Sequence, residues 1–137
     1  METIAKPTFV LATNSDERTV ELREVMRFAD GSGFQSEMFV RCHGFSAHQT
    51  FYFSERSFLA TLKALRRMDE QLQGEARLDE IYEHDQFLQF TMLSRGHVLV
   101  SGQLVLVSEH TNRLSFAFET DQTCLAPLIR SLDAFNQ

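Results

Sequence analysis

The chain has no tryptophan, only two prolines and two cysteines, and no long apolar run. Each scarcity removes a class of protein. Cys42 and Cys124 form neither a disulfide framework nor a CxxC pair, which points to a compartment where thiols stay reduced. The most apolar stretch, Val98 to Val107, is broken by Ser101, Gly102 and Gln103 and is too short to cross a bilayer as a helix. Met1 to Pro7 lack the basic and apolar regions of a signal peptide, so the expected location is the cytoplasm. Basic residues are in deficit, giving a net charge of −6. No basic patch or stripe is present to meet a phosphate backbone, which excludes nucleic acid as the expected partner. No linker or low-complexity segment divides the 137 residues, and residues 1–137 are expected to form a single domain.

What is present suits a well-filled core. Hydrophobic residues make up 43% of the chain and charged residues 23%. The aromatics are 13 Phe against 2 Tyr, and a ring without a polar handle belongs mostly inside. Phe9-Val10-Leu11-Ala12 reads as a short strand, followed by a turn at Asn14-Ser15-Asp16-Glu17. In Arg18 to Ala29 the apolar phase shifts near Glu24. A β-bulge produces such a shift, because one extra residue flips the faces, and a helix is the rival reading. Asp30-Gly31-Ser32-Gly33 predicts a hairpin turn, Phe34 to His43 a strand, Gly44 to Ala47 another turn, and Thr50 to Phe53 a strand.

The first helix is predicted over Glu55 to Gln73 from the stripe Phe58, Leu62, Leu65, Met68 and Leu72. Ser54 or Ser57 caps its start, and Gly74 is placed to end it in the left-handed conformation. Ala76 to Tyr82 alternates weakly, and Phe87 to Leu93 is strand-like. His97 to Ser108, apolar on both faces over part of its length, predicts a central strand. After a turn at His110-Thr111-Asn112, Leu114, Phe116 and Phe118 mark the inward face of another strand. A second helix, capped at Asp121 or Thr123, presents Leu125, Leu128, Ile129, Leu132 and Phe135, with Pro127 confined to its first turn. The fold class expected is α+β: an antiparallel sheet of about eight strands packed with two amphipathic helices, in the order four strands, helix, four strands, helix. The two halves, 1–73 and 74–137, read as a pseudo-repeat of one four-strand-plus-helix unit, although any strand entering an amphipathic helix looks similar.

Gly74-Glu75-Ala76-Arg77-Leu78, Gly96-His97-Val98 running into Ser101-Gly102-Gln103-Leu104, and Phe118-Glu119-Thr120-Asp121-Gln122-Thr123 with Leu125-Ala126-Pro127-Leu128 resemble a family of small bacterial proteins similar to toxin-immunity proteins of the WapI group. The resemblance runs from Phe45 to Leu132 and brings no catalytic residues. It implies a protein-binding role.

Polar chemistry gathers at Asp79-Glu80-Ile81-Tyr82-Glu83-His84-Asp85. Neighbouring strand side chains point to opposite faces, so no metal site is assigned. As an acidic surface, Asp69, Glu70, Glu75, Asp79, Glu80, Glu83 and Asp85 would steer a basic partner. Cys42 is in phase with Met38 and Val40 and reads as an inert core thiol. Cys124 lies near a helix N-terminus, which favours thiolate, but no base is identifiable. His97 fixes a turn, and His48 and His110 read as exposed loop positions. Asp121, Thr123, Ser54 and Ser57 are assigned to helix starts rather than to anion binding. The expected function is a non-enzymatic protein-interaction module, immunity-protein-like, that needs no cofactor. Its partner is another protein or a second copy of the chain, with no membrane contact. The alternative is a small-ligand protein with an apolar pocket lined by Phe51, Phe53, Phe87, Phe90, Phe116 and Phe118.

Overall fold

The computed structural model describes residues 7–13 and 17–136. The turn expected at Asn14, Ser15 and Asp16 lies outside the described residues. The chain forms two antiparallel four-stranded meanders, each followed by a helix. The first holds β1 (Phe9–Ala12), β2 (Arg18–Arg27), β3 (Gly33–Cys42) and β4 (Phe45–Ser54), and leads into α1 (Glu55–Gln71). The second holds β5 (Glu75–Asp79), β6 (Phe87–Met92), β7 (His97–Val107) and β8 (Thr111–Asp121), and leads through a short 3₁₀ turn into α2 (Leu125–Asn136). The α+β class, the antiparallel pairing, the eight strands and the two helices are those read from the sequence.

The phase shift near Glu24 is a bulge. Pairing of β2 with β3 slips between Arg23 and Met26, and Glu24 adopts φ 52°. The slip turns Val25 into the core beside Val20 and Leu22 and leaves Met26 outside. In the next hairpin Asp30 accepts from the Ser32 N–H and hydroxyl at 2.9 and 2.6 Å, which holds its carboxyl below the usual range.

The β3–β4 hairpin departs from expectation. The turn is only His43-Gly44, with His43 at φ 55°, so pairing resumes at once with Cys42 opposite Phe45. Phe45 to Gln49, read as turn and loop, are therefore strand. His48 is an exposed strand residue rather than a loop residue. A polar sequence on an edge strand carries little apolar alternation, which is why the pattern missed it.

Ser54 caps α1 by accepting from the Ser57 N–H at 3.0 Å. Phe58, Leu62, Leu65 and Met68 are buried as the stripe predicts. Leu72 is not. It ends the helix in the left-handed conformation at φ 55°, 48% exposed, and its N–H donates to Met68 O. Gly74, expected to hold that position, instead uses φ 101° to lead into β5. In the second meander β8 begins at Thr111, within the expected turn. Asp121 accepts from the Thr123 N–H at 2.9 Å to start the 3₁₀ turn before α2, and Pro127 falls in the first turn of α2.

Each helix closes the other half's sheet. α1 lies beside β5, where the Thr61 hydroxyl donates to the Arg77 carbonyl at 2.8 Å. α2 lies beside β1, with the Phe135 ring 5.3 Å from Phe9. Phe34, fully buried on β3, meets Phe53, Phe58 and Phe135 at centroid distances of 4.9, 5.1 and 5.5 Å. One ring thus joins β3, β4, α1 and α2, with each ring pair contributing about 1 kcal/mol beyond the area it buries. The core is one continuous cluster drawn from both sheets and both helices.

Candidate partner-binding surface

The seven acidic residues fall into two groups at opposite ends of the edge strand β5. Asp69 and Glu70 end α1, and Glu75 opens β5 just after it. A helix C-terminus carries partial negative charge that a basic residue normally offsets. The last turn of α1 has no basic residue. Two carboxylates and the helix dipole therefore add at this end. Asp69 is held by Gln122, whose Nε2 donates to its carbonyl and side chain at 2.8 and 3.2 Å. Glu70 and Glu75 are exposed, and Glu75 accepts from Gln89 at 3.3 Å.

The other group is Asp79, Glu80, Glu83 and Asp85. Arg77 separates the two groups, pairs with Asp79 at 2.8 Å and lies over the Phe87 ring at 4.0 Å. Asp85 pairs with Arg113 at 3.0 Å, and Glu83 is half-buried. Glu80 faces inward. It is 6% exposed and accepts from the Tyr82 N–H at 2.8 Å and from Gln86 Nε2 at 3.2 Å. Six of the seven carboxylates are thus exposed or half-buried, with Asp79 and Asp85 paired to arginines, and Glu80 serves the fold.

Gln86 was not singled out from the sequence, yet it organises this end. It is 3% exposed, and its Oε1 accepts from the Val105 N–H at 2.9 Å while its Nε2 points to Glu80 and, at 3.4 Å, to the Thr50 carbonyl. The Ile81 N–H donates to the Tyr52 carbonyl at 2.9 Å. The loop 80–86 thereby ties the edge of β4 to β7. The signal in the sequence was an uncharged amide directly after an acidic run.

A model of the WapI-like immunity protein family matches residues 11–135. The chain belongs to the WapI-like immunity protein family. The match also takes in residues 11–44, which precede the resemblance read from the sequence. Neither curated proteins nor solved structures yield a match.

The remaining candidates on this WapI-like chain are weaker. Cys42 is half-buried, with Sγ 3.8 Å from the Ala117 carbonyl. Cys124 is half-buried, and its sulfur accepts from the Thr120 hydroxyl at 3.0 Å, at the end of the 3₁₀ turn and directly before the first residue of α2. Among the described residues no three His, Cys, Asp or Glu side chains converge to hold a metal. Of the six Phe proposed to line a pocket, Phe53 and Phe90 border an apolar cavity of about 40 Å³ between the sheets and helices. Pockets for small organic ligands begin near roughly 300 Å³. On the outer face of the first sheet a shallow cleft of about 620 Å³ is crossed by a stack: Arg23 lies 3.8 Å over the Phe39 ring, which lies 4.7 Å from the His48 ring. No described helix is long and apolar enough to cross a membrane.

Proposed function

We propose that this WapI-like chain is a non-enzymatic immunity module that acts in the cytoplasm by binding a protein partner, a basic toxin domain, through its acidic surface. Family membership supports a protein partner. The observation that carries the acidic surface is the end of α1, where Asp69 and Glu70 extend a negative helix terminus with no basic residue in its last turn and Glu75 opens β5 soon after. Such a terminus costs the isolated fold a few tenths of a kcal/mol, and a basic partner recovers it on contact. Asp79 at the end of β5, with Glu83 and Asp85 in the loop after it, adds a second acidic group. Exposed charges of this kind speed the encounter more than they hold the complex.

The test is calorimetry with the purified toxin domain at about 50 and about 200 mM salt. Affinity should fall as salt rises, and Glu70→Lys with Glu75→Lys should weaken binding about tenfold or more at the lower salt. Affinity that ignores both salt and the charge reversal would remove the acidic surface from the reading.

A further inference from the structure

In an antiparallel sheet directly opposed residues share a face, with Cβ atoms about 5 Å apart. On the outer face of the first sheet this sets β2, β3 and β4 in cross-strand rows. One row is Arg23, Glu37 and Thr50, and the next is Glu21, Phe39 and His48. The last, toward the β3–β4 turn, is Thr19, Arg41 and Ser46. The first two rows satisfy themselves. The Thr50 hydroxyl donates to Glu37 at 2.7 Å, Arg23 pairs with Glu21 at 2.5 Å, and Arg23 and His48 stack on the Phe39 ring. The last row does not. Among the described residues nothing bonds to the Thr19 or Ser46 hydroxyl, and neither a carboxylate nor a carbonyl meets Arg41. The other three arginines of this sheet are held: Arg18 by the Glu119 carbonyl at 3.3 Å, Arg23 by Glu21, and Arg27 by Glu55 at 2.5 Å. In a chain of net charge −6, one cation and two hydroxyls are thus left side by side without a partner inside the protein.

All three side chains line the cleft of about 620 Å³, together with the Phe39–His48 stack. That volume falls in the range of sites for small organic molecules, roughly 300–1,000 Å³. The chemistry of the lining selects an anion. Arg41 offers a planar fork of N–H donors, Thr19 and Ser46 add hydroxyls, and His48 has ring nitrogens that bond to nothing among the described residues. Glu21 also borders the cleft, but Arg23 neutralises it, and Glu17, beyond Thr19, faces His43 at 3.6 Å. A guanidinium flanked by two hydroxyls matches the three acceptor oxygens of a phosphate monoester better than the two of a carboxylate. A bare phosphate would leave most of the volume empty, and the aromatic stack supplies a wall for an organic group.

We propose that this cleft binds a small organic phosphate monoester, with its phosphate on the row of Thr19, Arg41 and Ser46 and its organic group against the stack of Phe39 and His48. The site lies on the outer face of the first sheet and uses none of the carboxylates at the end of α1. It goes beyond the protein-partner reading and stands or falls separately from it.

The test is a ¹⁵N NMR titration of the full chain with phenyl phosphate, inorganic phosphate and benzoate. Phenyl phosphate should bind with a Kd of about 1 mM or below and shift amides at residues 19–21, 39–41 and 46–48. Inorganic phosphate, which lacks the ring, and benzoate, which lacks the third oxygen, should each bind about fivefold or more weakly. Arg41→Gln should weaken phenyl phosphate about tenfold or more, whereas Arg67→Gln, the same change of charge on the exposed side of α1, should stay within about twofold. Ser46→Ala, on the exposed face of β4, should cost about threefold and carries the test should Arg41→Gln disturb the sheet. No shift up to about 10 mM phenyl phosphate, or shifts centred on residues 56–67, would overturn the proposal. So would equal losses in Arg41→Gln and Arg67→Gln, or inorganic phosphate or benzoate binding as tightly as phenyl phosphate.

Discussion

Replacing Gln86 by alanine should destabilise the fold far more than its place in a polar loop suggests. The side chain is 3% exposed and serves two buried partners. Its Oε1 is the acceptor for the Val105 N–H at 2.9 Å, and an orphaned buried N–H costs about 1–3 kcal/mol. Its Nε2 donates to the Glu80 carboxylate at 3.2 Å. Loss of that bond is partly offset, because Glu80 keeps the Tyr82 N–H. The 3.4 Å approach to Thr50 is too long to add much. The sum is about 2–3 kcal/mol, or a fall of roughly 10 °C in Tm for a chain of this size. Thermal unfolding followed by circular dichroism measures the fall. Amide hydrogen exchange locates it: Ile81, bonded to Tyr52 across the seam, should exchange faster with Val105 as the loop detaches. Gln86→Glu sets a second carboxylate against Glu80, and its loss should shrink as the pH is lowered. A Gln86→Ala chain that melts within about 3 °C of the parent, with Ile81 still protected, would refute the idea that this amide ties the two sheets together.

Gly102→Ala should destabilise by about 2 kcal/mol or more in chemical denaturation, because its Cβ would come 2.4 Å from the Phe87 carbonyl and 2.7 Å from the Phe116 ring, and the carbonyl belongs to a paired strand that cannot move aside. Leu72→Gly should do the opposite. It relieves a left-handed leucine, about 1–2 kcal/mol, against about 0.5–1 kcal/mol of added chain entropy, and a small rise in denaturation midpoint checks it. The halves 1–73 and 74–137, expressed separately, should each stay unfolded by circular dichroism, because each helix covers the edge strand of the other half. The whole chain should melt in one transition, as a single domain does.

Legibility followed apolar periodicity. The α1 stripe, the α2 stripe and the central position of β7 could be read because each is apolar at a fixed spacing, and even the bulge at Glu24 announced itself as a slip in phase. Where polar residues line an edge the pattern fell silent, so the first half of β4 read as a turn and His48 as a loop residue. Gly74 is a good helix stop by type, but the chain needed its positive φ two residues later, and Leu72 took the terminal position instead. The acidic surface was legible only as composition. Adjacent carboxylates in sequence do not say which of them turns inward, and Glu80 does so because Gln86, six residues on, folds back to meet it. Burial of that pair is a tertiary fact with no local signature.

Charge at the end of α1 acts at a distance, so it raises the association rate of a basic partner and fades with salt, whereas close contacts form only on docking and set dissociation. A partner steered by Asp69, Glu70 and Glu75 will show an association rate that drops with salt and with Glu70→Lys, while its dissociation rate hardly changes with either. Stopped-flow mixing of the two proteins at low and high salt reads both rates. Should Glu70→Lys move the dissociation rate as much as the association rate, the end of α1 is a contact in the complex rather than a steering field.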